Sequence, residues 1–320
     1  MSEESTPYKD RKVGLIVFGV LQIIIGGFCA LAVPMMILSA VMVSTSAPNT
    51  GVSATAMIPA ILVYAVAAVA FVWLGIGSIL ARRWARALHL VFSSIMFVSG
   101  LLGSIMAIFF LRGMLGGMPH QEQLPPGFQA MMMGITVFVI GFIYIIIPGA
   151  HILFYRSPNV KATCEDRDPR ERWTDRCPLT VIALCVLVIM WGCGQLSMVG
   201  YNCAVPFFGI ILTGLPGAGW MLLCAGVGIL LAIRLYKLRP AAWWATLAAL
   251  LVFVISYSLT FARIDMMDYY AIMGLPAEQL ELMRNMPMTQ GNVMWPMMVI
   301  YAIPFLAFAI SIRKHFFDKS

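Results

Sequence analysis

The chain of 320 residues is 61% hydrophobic and 11% charged, with a formal net charge of +7 and a mean hydropathy of +0.90. Soluble globular domains carry about 25% charged residues, so a water-soluble domain is excluded. The positive excess sits in short connections between apolar stretches, where it orients a membrane protein and meets anionic headgroups, so it calls for no nucleic-acid partner.

Eight apolar stretches follow in order at residues 13–43, 57–80, 88–111, 131–154, 179–200, 208–231, 241–262 and 294–312. Each approaches or exceeds the roughly 20 residues that a helix needs to cross the hydrocarbon core. Lipid offers no partner for unpaired backbone groups, and the runs lack the alternation of barrel strands, so helices are expected throughout. Ala30 and Ala32 give the first stretch a weak resemblance to a signal-peptide cleavage site. Its apolar run is about twice a typical h-region, and it is read as a span. The turn between the fifth and sixth spans is the least defined boundary. Pro206, Gly209, Gly214, Pro216, Gly217 and Gly219 interrupt an otherwise apolar segment there.

All 35 charged residues fall outside these stretches. Threading the stretches through a bilayer in order places 18 of the 21 Lys and Arg on one face, leaving Arg112, Arg263 and Arg284 on the other. The positive-inside rule then puts both termini in the cytoplasm. The fold class expected is an all-α integral membrane protein of eight transmembrane helices.

Shifting the chain by 151 residues lays it over itself. Gly75 and Gly77 meet Gly226 and Gly228; Leu80, Ala81 and Arg83 meet Leu231, Ala232 and Arg234. Phe110 and Arg112 meet Phe261 and Arg263, and Leu124-Pro125 meets Leu275-Pro276. Matched Arg, Pro and Gly at one offset point to a duplication: a first four-helix repeat over 1–154, a cytoplasmic linker over 155–178 and a second four-helix repeat over 179–320. An even number of spans per repeat makes the two tandem repeats parallel in orientation, not inverted. The linker, "YRSPNVKATCEDRDPRERWTDRCP", mixes six basic with five acidic residues and is expected to be a solvated connector, with Trp173 resting at the interface.

The linker residues Val160 to Glu165, Asp168-Pro169 and Trp173 to Leu179 read "VKATCE…DP…WTDRCPL". In this signature of about 20 residues the chain resembles uncharacterised multi-span bacterial membrane proteins. The resemblance implies a bacterial inner-membrane setting and brings no activity with it.

Ionisable residues inside a membrane mark pumps and proton relays because burying them is costly, and no Asp, Glu, Lys or Arg lies in any of the eight stretches. His89 and His151 lie near cytoplasmic ends of spans and read as interfacial residues. Gln22 and Gln195, in corresponding helices, could face each other and line a path for a neutral solute, but hydrogen bonding to neighbouring helices is the stronger expectation. Glycine pairs at Gly75 and Gly226 sit mid-helix and read as close packing, not as phosphate loops. The seven cysteines form no metal or disulfide spacing, and Cys164 and Cys177 are expected to be reduced thiols.

Methionine is abundant, with 14 of 24 in residues 112–133 and 263–298. Met114, Met118, Met283, Met286 and Met288, with His120, could capture Cu(I). Adaptable packing in surface helices is the stronger reading, since Pro276 and Glu278 suit the start of such a helix. No catalytic, cofactor-binding or metal-binding residue is assigned. The function expected is a non-catalytic structural, accessory or interaction component of the bilayer, with a membrane-protein partner or a second copy. A facilitator for a neutral or apolar solute comes second, Cu(I) binding third and an enzyme last.

Overall fold

The computed structural model describes residues 8–46, 54–116, 127–284 and 294–317. In chain order these form α1 (Lys12–Ser46), a 3-10 turn (Ala54–Met57), α2 (Ile58–Ile79), α3 (Arg83–Gly116), α4 (Phe128–Gly141), a π turn (Phe142–Ile146) and α5 (Ile147–Arg156). Next come α6 (Pro158–Arg167), a 3-10 turn (Trp173–Asp175), α7 (Leu179–Gly194) and a 3-10 turn (Gln195–Gly200). The chain continues with β1 (Val205–Phe207), β2 (Ile210–Leu212), α8 (Gly214–Tyr236), α9 (Pro240–Phe261), α10 (Met266–Ile272), α11 (Ala277–Arg284), α12 (Met294–Ser311) and α13 (Lys314–Phe317).

Seven segments among the described residues are helical, long and apolar enough to cross a membrane: Lys12–Met42, Thr55–Ile79, Arg83–Ser104, Ala130–Arg156, Leu179–Gly200, Gly214–Tyr236 and Pro240–Phe261. That is the make-up of a multi-pass membrane protein. The eighth stretch forms the 18-residue helix α12, whose described portion includes the short apolar helix Ala302–Ser311.

Two boundaries differ from the sequence expectation. α3 begins at Arg83, ahead of the apolar stretch at 88, because its arginines are held by the last turn of α5 and by the segment that follows it. The π turn lies just before Pro148, which has no N–H to give the Tyr144 carbonyl. The ladder widens there, and the Ile147 N–H reaches Phe142 instead.

The second departure is the connection from the fifth to the sixth span, which is a β-hairpin. β1 pairs antiparallel with β2, Pro206 opposite Ile211. Its two-residue loop, Phe208-Gly209, has φ of 44° and 93°, the paired positive values that a tight primed turn requires. α9 satisfies the exposed backbone: Ser256 Oγ accepts from Phe208 N at 3.0 Å and Thr260 Oγ1 accepts from Gly209 N at 3.0 Å. Non-helical backbone in a membrane protein needs such partners.

The chain forms two compact units. The first comprises the described residues of Met1–Pro34, Val63–Ile108 and Pro126–Leu179; the second comprises those of Met35–Leu62, Phe109–Pro125 and Thr180–Ser320. In the first, α1 crosses α2 at Gly19 and Gly75, where a Cβ on either would stand 2.7 Å from the other's carbonyl oxygen. In the second, α7 crosses α8 at Gly192 and Gly228, whose Cβ positions fall 2.7 Å from the Cys224 carbonyl and 3.0 Å from the Val188 carbonyl. Small residues let backbones approach in this way. Gly226, by contrast, meets nothing within 4 Å among the described residues.

α2 and α8 also end alike. Ala81 and Leu238 both take φ of 52°. The next residues, Arg82 and Arg239, donate their N–H to the carbonyls of Gly77 and Arg234, at 2.9 and 3.2 Å. This is the six-residue closure that satisfies a helix C-terminus.

Candidate functional site

Residues 155–178 are not a solvated connector. α6 starts at Pro158, at a position where a missing N–H costs nothing, and buries Val160, Thr163 and Cys164. With Leu15, Ala81 and Tyr155, Val160 and Cys164 build an apolar cluster at the end of the first bundle. The segment before α1 is tied to the same cap. Arg11 N donates to Thr163 Oγ1 at 3.1 Å, and Arg167 pairs with Asp10 at 2.8 Å.

The hub of the cap is Asp168, whose side chain is 1% exposed. Arg172 Nε donates to both its oxygens, at 2.9 and 3.1 Å. Arg82 Nη1 approaches at 3.4 Å and the Arg83 backbone N–H donates at 3.3 Å. The Arg172 guanidinium, followed by the Arg83 N–H and the Arg82 charge, holds the Asp168 carboxyl below its ordinary range. The linker thereby becomes a folded cap joined to the start of α3. Burial pushes the Cys164 and Cys177 thiols up to about 11, so both are neutral at physiological pH. We expect reaction of both with a maleimide to be at least about tenfold slower in the folded chain than after denaturation, because the thiolate is the reactive form.

Arg83, Arg86, Lys161, Cys164, Glu165, Thr174, Asp175 and Cys177 line a cleft of about 350 Å³ between the cap and α3. Arg86 Nε donates to the Tyr155 carbonyl at 3.0 Å. Glu165 and Asp175 lie 3.8 Å from Lys161 and 3.9 Å from Arg83.

Deeper in the first unit, helix packing gathers polar side chains that the sequence scatters. Gln22 and His89 are both buried, and Gln22 Nε2 donates to His89 Nδ1 at 3.1 Å. His89 stacks on Tyr155 with ring centres 4.4 Å apart. Ser78 Oγ donates to the Leu15 carbonyl at 2.9 Å, so the Tyr155 hydroxyl, 2.6 Å away, donates to Ser78. His151 Nδ1 lies 2.9 Å from the Ile147 carbonyl. A carbonyl only accepts, so Nδ1 carries the hydrogen, and Nε2 of the neutral ring is an acceptor. Gln22, His89, Ser93 and His151 all line an otherwise apolar cavity of about 300 Å³, and Gln22 Oε1 and His151 Nε2 have no hydrogen-bond partner among the described residues.

Gln22 and Gln195 therefore do what hydrogen bonding between helices predicts. Gln195 Oε1 accepts from the Tyr257 hydroxyl at 2.8 Å within the second unit. We expect Gln22→Leu to cost about 1–2 kcal/mol, by leaving His89 Nδ1 unpaired in an apolar bundle; thermal unfolding in detergent measures it. The interfacial reading of His89 and His151 changes. His89 is 2% exposed and belongs to this internal network. Only the 67-residue separation between Gln22 and His89 hid it, since no local pattern reports such a contact.

The second unit holds a cavity of about 380 Å³ bordered by Trp191, Leu250, Phe253 and Phe305. Among the described residues no group of three or more His, Cys, Asp or Glu could hold a metal ion. Of the methionine set, Met118, Met286 and Met288, with His120, lie outside the described residues. α11 does begin directly after Pro276, as the helix-start signal there predicts. No family model, curated protein or solved structure matches the chain.

Proposed function

We propose that this protein is a non-catalytic accessory component of a bacterial inner membrane, acting through interaction with a membrane-protein partner or a second copy. In this reading α12 is the eighth span, the two four-helix bundles are parallel repeats, and both termini are cytoplasmic. Each unit has a glycine crossing and a left-handed closing residue, but Gly228 follows Gly75 by 153 residues and Leu238 follows Ala81 by 157, so the duplication rests on the sequence match at 151 and on the recurrence of these features, not on their register. The observation that carries the functional reading is the cap. A connector needs only to span a distance, whereas this one is folded, ion-paired and fixed to the bundle, and it presents Arg170, Glu171, Trp173 and Arg176 outward. Rigid, outward-facing charged and aromatic residues suit recognition.

Mild cross-linking in membranes followed by purification tests this. The intact chain is expected to bring down one stoichiometric band, a partner or its own dimer. Replacing Arg170, Glu171, Trp173 and Arg176 by Ser is expected to lower that band at least about tenfold. A monomeric chain with no such band contradicts the proposal.

A second reading is favoured by the first-unit cavity. Unpartnered acceptors at Gln22 and His151 inside apolar walls suit a small neutral solute that donates hydrogen bonds, as a facilitator would require. Uptake of a neutral polyol into liposomes containing the protein, abolished by Gln22→Leu, would select that reading over the accessory role.

A further inference from the structure

The cleft between the cap and α3 has features that the accessory role does not use. Arg83 Nη2 donates to the Glu165 carbonyl at 3.5 Å and Arg86 Nε to the Tyr155 carbonyl at 3.0 Å, but the ion pairs of the cleft are loose. The Arg83–Asp175 and Lys161–Glu165 separations of 3.9 and 3.8 Å exceed hydrogen-bond distance. Two residues that border the cleft, Arg83 and Thr174, each carry a buried polar atom, Nε and Oγ1, without a partner among the described residues; Thr174 is 3% exposed. An unpaired buried donor costs free energy that a ligand can recover. Three cations face two acids there, and the bordering Cys164 and Cys177 thiols are neutral and add no negative charge.

Placement narrows the ligand. Arg83 and Arg86 occupy the first turn of a membrane span, the level at which headgroup phosphates lie. Apart from Arg83, Arg86 and Ala87, every bordering residue belongs to Val160–Glu165 or Trp173–Leu179, the two main blocks of the linker signature. The residues that distinguish this linker are the residues that build the cleft.

We propose that this cleft binds a phosphate group, supplied by an anionic lipid headgroup or by a soluble phosphate. Arg83 Nε, Thr174 Oγ and the Arg86 guanidinium donate to the phosphate oxygens, in the way that arginine forks and hydroxyls receive oxyanions. Lys161 adds a point charge, and Glu165 and Asp175 limit the affinity. This site stands independently of the accessory reading.

The test uses the full-length protein in dodecylmaltoside micelles at 0.15 M salt, titrated calorimetrically with dihexanoyl phosphatidylglycerol, dihexanoyl phosphatidylcholine and inorganic phosphate. Saturable binding of phosphatidylglycerol alone assigns the lipid source, and binding of inorganic phosphate assigns a soluble one. Arg86→Gln is expected to weaken binding about tenfold and Thr174→Val about threefold, the scale of one charged and one neutral hydrogen bond. Glu165→Gln is expected to strengthen binding about threefold, a gain that loss of folding cannot produce. The double variant Arg170→Gln/Arg176→Gln, on the outer face of the cap, is expected to change it by less than about twofold. The proposal is overturned if neither phosphatidylglycerol nor inorganic phosphate binds, if Glu165→Gln weakens binding, or if the outer-face variant loses as much as Arg86→Gln.

Discussion

Asp168→Ala is expected to detach the cap. The substitution strips the partner from Arg172, Arg82 and the Arg83 N–H in one step. Breaking a buried, hydrogen-bonded ion pair by removing one member costs about 3–5 kcal/mol. Arg82 and Arg172 reach water, with side chains 39% and 31% exposed, which lowers the expected loss to about 2–4 kcal/mol. Asp168→Asn keeps an acceptor for the Arg83 N–H and is expected to lose about half as much. Hydrogen exchange over 158–175 reads the effect directly. Protection there should fall while α2 and α9 keep theirs. Equal loss everywhere would mean that the cap and the bundle unfold as one unit.

Acid should imitate the substitution. The Asp168 carboxyl has a folded-state value held below its ordinary 3.8, chiefly by Arg172. Its stabilising contribution is therefore fully present above that ordinary value and disappears as the pH falls through the lower folded one. Cap protection should be flat from neutral pH down to about 5 and drop below 4. The Asp168→Asn variant should lack the drop at this position, while exposed Asp10, held low by the Lys12 N–H and then by Arg167, keeps a smaller one.

The second large effect is expected at the helix crossings. Gly75→Ala forces a Cβ to 2.7 Å from the Gly19 carbonyl oxygen, and Gly228→Ala places one 3.0 Å from the Val188 carbonyl. Both obstacles are backbone, so relief requires α1 and α2, or α7 and α8, to move apart. Overpacking of this kind costs about 1–3 kcal/mol, and Gly75→Val is expected to lie at the upper end. Internal controls are built into the sequence. Gly27 and Gly226 meet nothing within 4 Å among the described residues, and alanine at either should be neutral or stabilise by about 0.5–1 kcal/mol through helix propensity. Thermal unfolding of the four Ala variants in detergent checks this. A Gly226 variant as damaged as the Gly228 variant would show that the crossing is misplaced.

Seven helices long and apolar enough to cross a membrane were legible because length and hydropathy are local properties, and lipid permits a narrow set of backbones. The entry of α3 was misplaced because its arginines belong to the helix while bonding to the cap. The hairpin over 205–212 escaped notice for a related reason. Strands of three residues carry no period, and a primed turn that begins on Phe208 lacks the Asn-Gly or Asp-Gly signal. The glycine pairs were legible as packing sites, but which glycine meets which backbone was not. The 151-residue offset matches Gly226 with Gly75, whereas the packing role of Gly75 is taken by Gly228. The cap was hidden for the most general reason. Its composition is that of a solvated loop, and burial of Asp168 follows from arginines up to 86 residues away.

Sidedness underlies the functional reading, since the cap can meet a cytoplasmic partner or inner-leaflet headgroups only if it lies inside. The native Cys164 and Cys177 are buried, so they are poor reporters. Cysteine introduced at exposed Glu171, in the cap, and separately at exposed Asp268, in α10, measures it against the unsubstituted chain. With a membrane-impermeant maleimide on intact cells, Asp268→Cys should label at once, and Glu171→Cys only after the membrane is opened. Labelling of Glu171→Cys from outside, or of both variants from the same side, would contradict the orientation and with it the place assigned to the cap.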